Sequence, residues 1–97
     1  MTEARSIRFL RPQHVMERVG LRHSKLYSNI AEQLFPPFIK FGRASALPEH
    51  EVDAMMIAIT AGATDEQLRK LVQKLVAQRH TAFAALGTED PATASAP

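Results

Sequence analysis

A mostly α-helical domain with one small β-hairpin is the fold class that this chain predicts, and three observations predict it. Apolar residues recur at helical spacing in four separate segments. Glycine and proline fall at the borders of those segments, at Pro12, Gly20, Pro36, Pro37, Pro48, Gly62 and Gly87. Between the second and third segments, aromatic residues and Gly42 mark two short runs that read as a hairpin.

Residues 1–6 read as a flexible arm. Residues 7–10, Ile-Arg-Phe-Leu, alternate weakly in the manner of a short strand. Pro12 suits the first position of a helix, where its missing N–H removes nothing. Val15, Met16 and Val19 then recur at helical spacing, and Gly20 provides a left-handed cap. A second helix is expected over residues 23–33. At about 100° per residue, Leu26, Ile30, Leu34, Tyr27 and Ala31 share one arc, and Ser24, Lys25, Ser28, Asn29, Glu32 and Gln33 share the other. Its start is poorly capped, because Arg22 stands where Ser, Thr or Asp is preferred.

Phe35-Pro36-Pro37 stops that helix. The hairpin follows, with runs 38–41 and 45–47 joined through Gly42-Arg43-Ala44. Pro48 opens a third helix with Glu49 and Glu51 in its first turn, where carboxylates suit the helix dipole without any catalytic role. Val52, Met55, Met56 and Ile59 give its apolar face, and Gly62 closes it. The run Thr64-Asp65-Glu66-Gln67 is a capping-box pattern. It starts a fourth, amphipathic helix that is expected to reach about residue 86, with a stripe of Leu68, Leu71, Val72, Leu75, Val76, Ala82, Phe83 and Leu86 broken by Arg79. Residues 88–97 are small, polar and proline-bearing, and read as a disordered tail. The organisation expected is therefore an arm (1–6), a main domain (7–62), a further helix (63–87) and a tail.

The 97 residues suit one small domain, and 45% hydrophobic content excludes a wholly disordered chain. With no cysteine there are no disulfides or thiolate metal sites, which fits a reducing cytoplasm. No apolar run approaches the roughly 20 residues that a membrane-spanning helix needs. Residues 1–12 hold three arginines and no apolar core, so no signal peptide is expected. His14, His23, His50 and His80 lack the paired spacing of a metal site, and no cofactor is expected. No Ser/His/Asp set, phosphate-binding glycine loop or acid cluster stands out, so the chain reads as a non-enzyme.

Charge is distributed unevenly. Residues 1–43 hold eight Lys/Arg against three acids, or +5, whereas residues 44–97 hold four against seven, or −3. A polyanion would meet the first half. Two helices joined by a short turn containing glycine, followed by a hairpin, form the winged helix-turn-helix pattern. The side chains suit duplex DNA. Lys and Arg neutralise phosphates, short Ser and Asn side chains permit close approach, and Asn can pair bidentately with an adenine edge. The candidate contacts are Arg11, Arg22, His23, Ser24, Lys25, Ser28 and Asn29 on the major-groove side, with Lys40 and Arg43 on the wing. Tyr27 is placed by its angle as a half-buried core residue, and Met16, Met55 and Met56 as core fillers.

Residues 8–56 also resemble a known family. Phe9-Leu10-Arg11, Gly20-Leu21, Leu26-Tyr27, Phe35-Pro36-Pro37, Ile39-Lys40-Phe41-Gly42 and Glu51-Val52 occur in the order found in AlpA-type regulators of phages and mobile elements. Those are small winged helix-turn-helix proteins related to the MerR-like and excisionase groups. The resemblance implies sequence-specific DNA binding, with the second helix in the major groove and the wing on the backbone. The chain departs from the pattern at Arg22, where Ser or Thr is usual, and at Lys25, where Thr is frequent. Leu47 and Met55 stand where tryptophans are common. A different target sequence and a differently packed core follow from these departures.

Two roles fit that reading: a transcription factor acting with RNA polymerase or by occupancy, and an excisionase-like architectural factor that steers an integrase. The rival is a protein-interaction module whose fourth helix docks a partner while the basic charge is incidental. Leu68, Leu71, Leu75 and Ala82 keep roughly heptad spacing, which makes that helix a candidate homodimerisation element, with intramolecular packing as the alternative.

Overall fold

In the computed structural model, residues 7–87 are described; the arm and the tail expected at 1–6 and 88–97 lie outside them. The order is β1 (Phe9–Leu10), α1 (Pro12–Val19), α2 (His23–Ala31), β2 (Ile39–Phe41), β3 (Ala44–Pro48), α3 (Glu49–Thr60) and α4 (Asp65–Ala84). The mostly helical winged fold is as expected.

Local chemistry explains most of the boundaries. Pro12 sits at the start of α1, and Gly20 ends that helix at φ 72° with its N–H donating to the Met16 carbonyl. Thr64 caps α4, accepting from the Gln67 N–H at 3.2 Å while the Gln67 side chain accepts from the Thr64 N–H at 2.9 Å. α2 stops at Ala31, two residues earlier than the spacing predicts. Gln33 turns left-handed at φ 63°. The N–H groups of Gln33 and Leu34 then reach back to the carbonyls of Ile30 and Asn29, which closes the helix end without a glycine.

Strand β3 is longer than expected and lies at the centre of a three-stranded antiparallel sheet of order β1-β3-β2. Phe9 faces Pro48 and Leu10 faces Leu47 on one side, while Ile39 faces Ala46 and Phe41 faces Ala44 on the other. The hairpin turn is thus the pair Gly42-Arg43, and Ala44 belongs to the strand. Gly42 at φ 65° takes the position that an L side chain would strain. Pro48 ends β3 and serves as the N-cap of α3 instead of its first helical residue.

One apolar core joins every layer. Val15 of α1, Leu26 of α2, Phe35, Leu47 of β3, Val52 and Met55 of α3, and Leu68, Val72 and Leu75 of α4 form a single buried cluster. The fourth helix is packed into the same core as the other three. Tyr27 and Ala31 do not join it: Tyr27 stays 36% exposed, because the buried arc of α2 centres on Leu26, with Ile30 beside it.

Candidate nucleic-acid interface

The two helices of the basic half begin differently from the other two. Arg11 and Arg22 occupy the N-cap positions of α1 and α2, and neither first turn holds an acid. By contrast, α3 starts with Glu49 and Glu51, and α4 with Asp65 and Glu66. The positive ends of α1 and α2 are therefore uncompensated and reinforced by arginine, which favours an anion such as phosphate.

On α2, Arg22, His23, Ser24, Lys25 and Ser28 are exposed, whereas Asn29 is half-buried. Lys25, Ser28 and Asn29 come together along a groove of about 490 Å³ that Val19, Leu21 and Glu32 help to line. On the opposite flank His23 stacks on Tyr27 with ring centroids 4.3 Å apart, and Tyr27 meets Phe38 at 5.5 Å. Phe38 directly precedes β2, so this aromatic row ties the start of α2 to the wing. Lys40 is exposed opposite Ser45, and Arg43 is exposed at the hairpin tip. Arg11 stands apart from the α2 set, beside a shallow hollow that it lines with Gln13 and His14.

Ion pairing sorts the cations. Arg18 pairs with Glu49 at 3.0 Å and with Asp53, and Arg8 reaches Glu49 at 3.8 Å. Arg69 lies 3.9 Å from Glu32, and Arg79 lies 2.5 Å from Glu51. Among the described residues, Arg11, Arg22, Lys25, Lys40 and Arg43 have no carboxylate partner, and neither do Lys70 and Lys74 of α4. Among the described residues, every Lys and Arg expected to meet DNA is thus without a carboxylate partner.

The candidate dimer residues have a different place. Leu68 and Leu75 are 9% and 6% exposed within the chain's own core, so they are not free to face a second copy. Leu71 is half-buried against that core, and Ala82 is exposed beside a small hollow shared with Phe9 and Ile39. Of the two expected uses of that stripe, intramolecular packing accounts for Leu68, Val72 and Leu75, which share one buried cluster with Val52 and Met55 of α3 and with Phe35. Two further residues depart from expectation: Arg79, which breaks the apolar stripe, meets Glu51, and Tyr27, expected in the core, stays 36% exposed. An arginine inside an apolar stripe was the available signal for the first, and nothing in the local spacing marked the second.

A helix pair joined through Gly20 and packed against a three-stranded antiparallel sheet places the chain in the winged helix-turn-helix class. Residues 8–56, just over half of the chain, match the family model described as prophage CP4-57 regulatory protein (AlpA), and the chain belongs to that family. Membership makes it a phage-type DNA-binding regulator, of a family that is not enzymatic. Comparison with curated proteins and with solved structures gives no match. No helix among the described residues is long and apolar enough to cross a membrane.

Proposed function

We propose that the chain is a sequence-specific regulator that reads duplex DNA with α2 in the major groove and holds the backbone with its wing. On this reading Ser24, Lys25, Ser28 and Asn29 approach base edges. Arg11, Arg22 and His23 engage phosphates at the helix starts, and Lys40 and Arg43 engage them from the wing. The observation that carries the reading is the grouping of cations. Among the described residues, Arg11, Arg22, Lys25, Lys40 and Arg43 lie at the starts of α1 and α2 and on the wing with no carboxylate partner. Arg8, Arg18, Arg69 and Arg79 are paired, and the other unpaired cations, Lys70 and Lys74, lie on α4. The rival reading, a module that docks a partner through α4, is supported less well, because Leu68, Val72 and Leu75 are buried within the chain.

Fluorescence anisotropy against a pool of short duplexes at two salt concentrations tests the proposal. Tight binding to a subset, weakening steeply with salt, is the expected result. Equal, weak binding to every duplex would overturn it. Footprinting of the selected site then separates the two regulatory modes. Cooperative protection of several tandem sites marks an architectural factor working with an integrase, and one protected promoter site marks a transcription factor.

A further inference from the structure

Helix α4 lies beyond the residues that match the family, yet two of its arginines touch the interface from behind. Arg69 donates from Nε to the backbone carbonyl of Glu32 at 2.9 Å. Glu32 is the C-cap residue of α2. A cation is favoured at that negative helix end, where carbonyls lack intrahelical donors. Further along α4, Arg79 uses Nη2 to donate to the carbonyl of Pro37 at 3.0 Å. Pro37 precedes β2 by two residues. The same guanidinium grips the Glu51 carboxylate side-on, which fixes its plane.

Leu68, Val72 and Leu75 already bury the apolar face of α4, so the two contacts add direction to a helix that packing also holds. A buried ion pair is also weak evidence for stability, because a well-packed apolar pair of similar volume often serves as well. What an apolar pair cannot do is hold a carboxylate of α3 and a carbonyl at the root of the wing at once. We propose that α4 is a brace for DNA reading: Arg69 positions α2 from its rear end, and Arg79 positions the wing relative to it. Both are positioning residues, and the inference rests on the DNA-reading proposal above.

The test uses the full chain and two probes: the tightest duplex that the wild type selects from a random pool, and a scrambled duplex of the same composition. Binding is measured well below the melting temperature of each variant. Arg69→Met keeps the stem and removes the donor, and its preference for the selected duplex is expected to fall roughly tenfold. Arg69→Lys, which retains a donor, restores most of it. Arg79→Lys keeps a cation for Glu51 but has one nitrogen where two contacts diverge. It is expected to weaken binding to both duplexes and to make a further Arg43→Ala change nearly silent, because a misplaced wing has little left to lose. Val76→Ala, a plain packing change on α4, should lower the melting temperature and leave binding as in the wild type.

The brace is overturned if Arg69→Met and Arg79→Lys bind both duplexes as the wild type does, or if Val76→Ala loses as much as they do. Failure of the underlying DNA reading looks different, since the wild type would then bind the two duplexes alike, and the brace would fall with it.

Discussion

Arg79 holds Glu51 side-on, with Nε donating to Oε2 at 2.9 Å and Nη2 to Oε1 at 2.5 Å. Glu51 is 1% exposed, and the Arg79 side chain keeps 21% of its surface. The asymmetry decides which partner matters more. Without the guanidinium, a nearly sealed carboxylate loses its counter-charge, whereas without the carboxylate the arginine can still turn partly towards water. Arg79→Ala is therefore expected to destabilise the fold by about 3–5 kcal/mol, and Glu51→Leu by less. The double change Glu51→Leu with Arg79→Met should lie closer to the wild type than Arg79→Ala does. Urea unfolding monitored by circular dichroism measures all three, and an equal loss for both single variants would contradict the argument.

Helix and wing are expected to contribute differently to DNA binding. Arg43, exposed at the hairpin tip, should act on phosphates. Its replacement by Ala should weaken every duplex by a similar factor and reduce the slope of log affinity against log salt by about 1. Lys25→Ala with Asn29→Ala should instead lower the ratio between preferred and scrambled duplexes. Titrations at several salt concentrations read both quantities, and a uniform loss in the α2 variant would place sequence reading elsewhere.

Gln33 adopts φ 63°, a conformation in which a side chain crowds the backbone. Glycine relieves that crowding but has more freedom in the unfolded chain. The balance favours Gln33→Gly by roughly 0.5–1 kcal/mol, seen as a higher melting temperature. Gln33→Ala keeps the Cβ and should give no such gain.

Leu75 is buried among residues of its own chain. Leu75→Ala should cost about 2–5 kcal/mol through the lost contacts and the cavity. Because the contacts are intramolecular, that loss should be the same at every protein concentration. A melting temperature that rises with concentration in the wild type but not in the variant would instead show Leu75 at a subunit interface.

Much of the framework was legible because its determinants are near neighbours. Pro12, Gly20, Gly42 and the Thr64–Gln67 pair each act within a few residues, and each stands where the sequence places it. The candidate contacts were legible for the same reason: a helix that buries Leu26 must present Ser24, Lys25 and Ser28 outward. Less legible was the position of Asn29, whose angle lies nearer the buried arc than its polarity suggests, and of Tyr27, whose ring finds His23 and Phe38 on the surface.

What the sequence by itself determined is therefore the set of elements, their caps and the basic character of the first half, since backbone propensities and helical periodicity are local. Only the tertiary structure decided which elements meet. It placed Leu10 beside Leu47 and so made a third strand of the wing. It brought Arg79 to Glu51, 28 residues away, and Arg69 to the carbonyl of Glu32, 37 residues away. It turned an apolar stripe that could have paired with a second chain onto this chain's own core. The physical reason is common to all three. Burial and pairing are satisfied by any partner of suitable shape and charge, and which partner is met depends on the free energy of the whole packed chain and not on the segment that carries the residue.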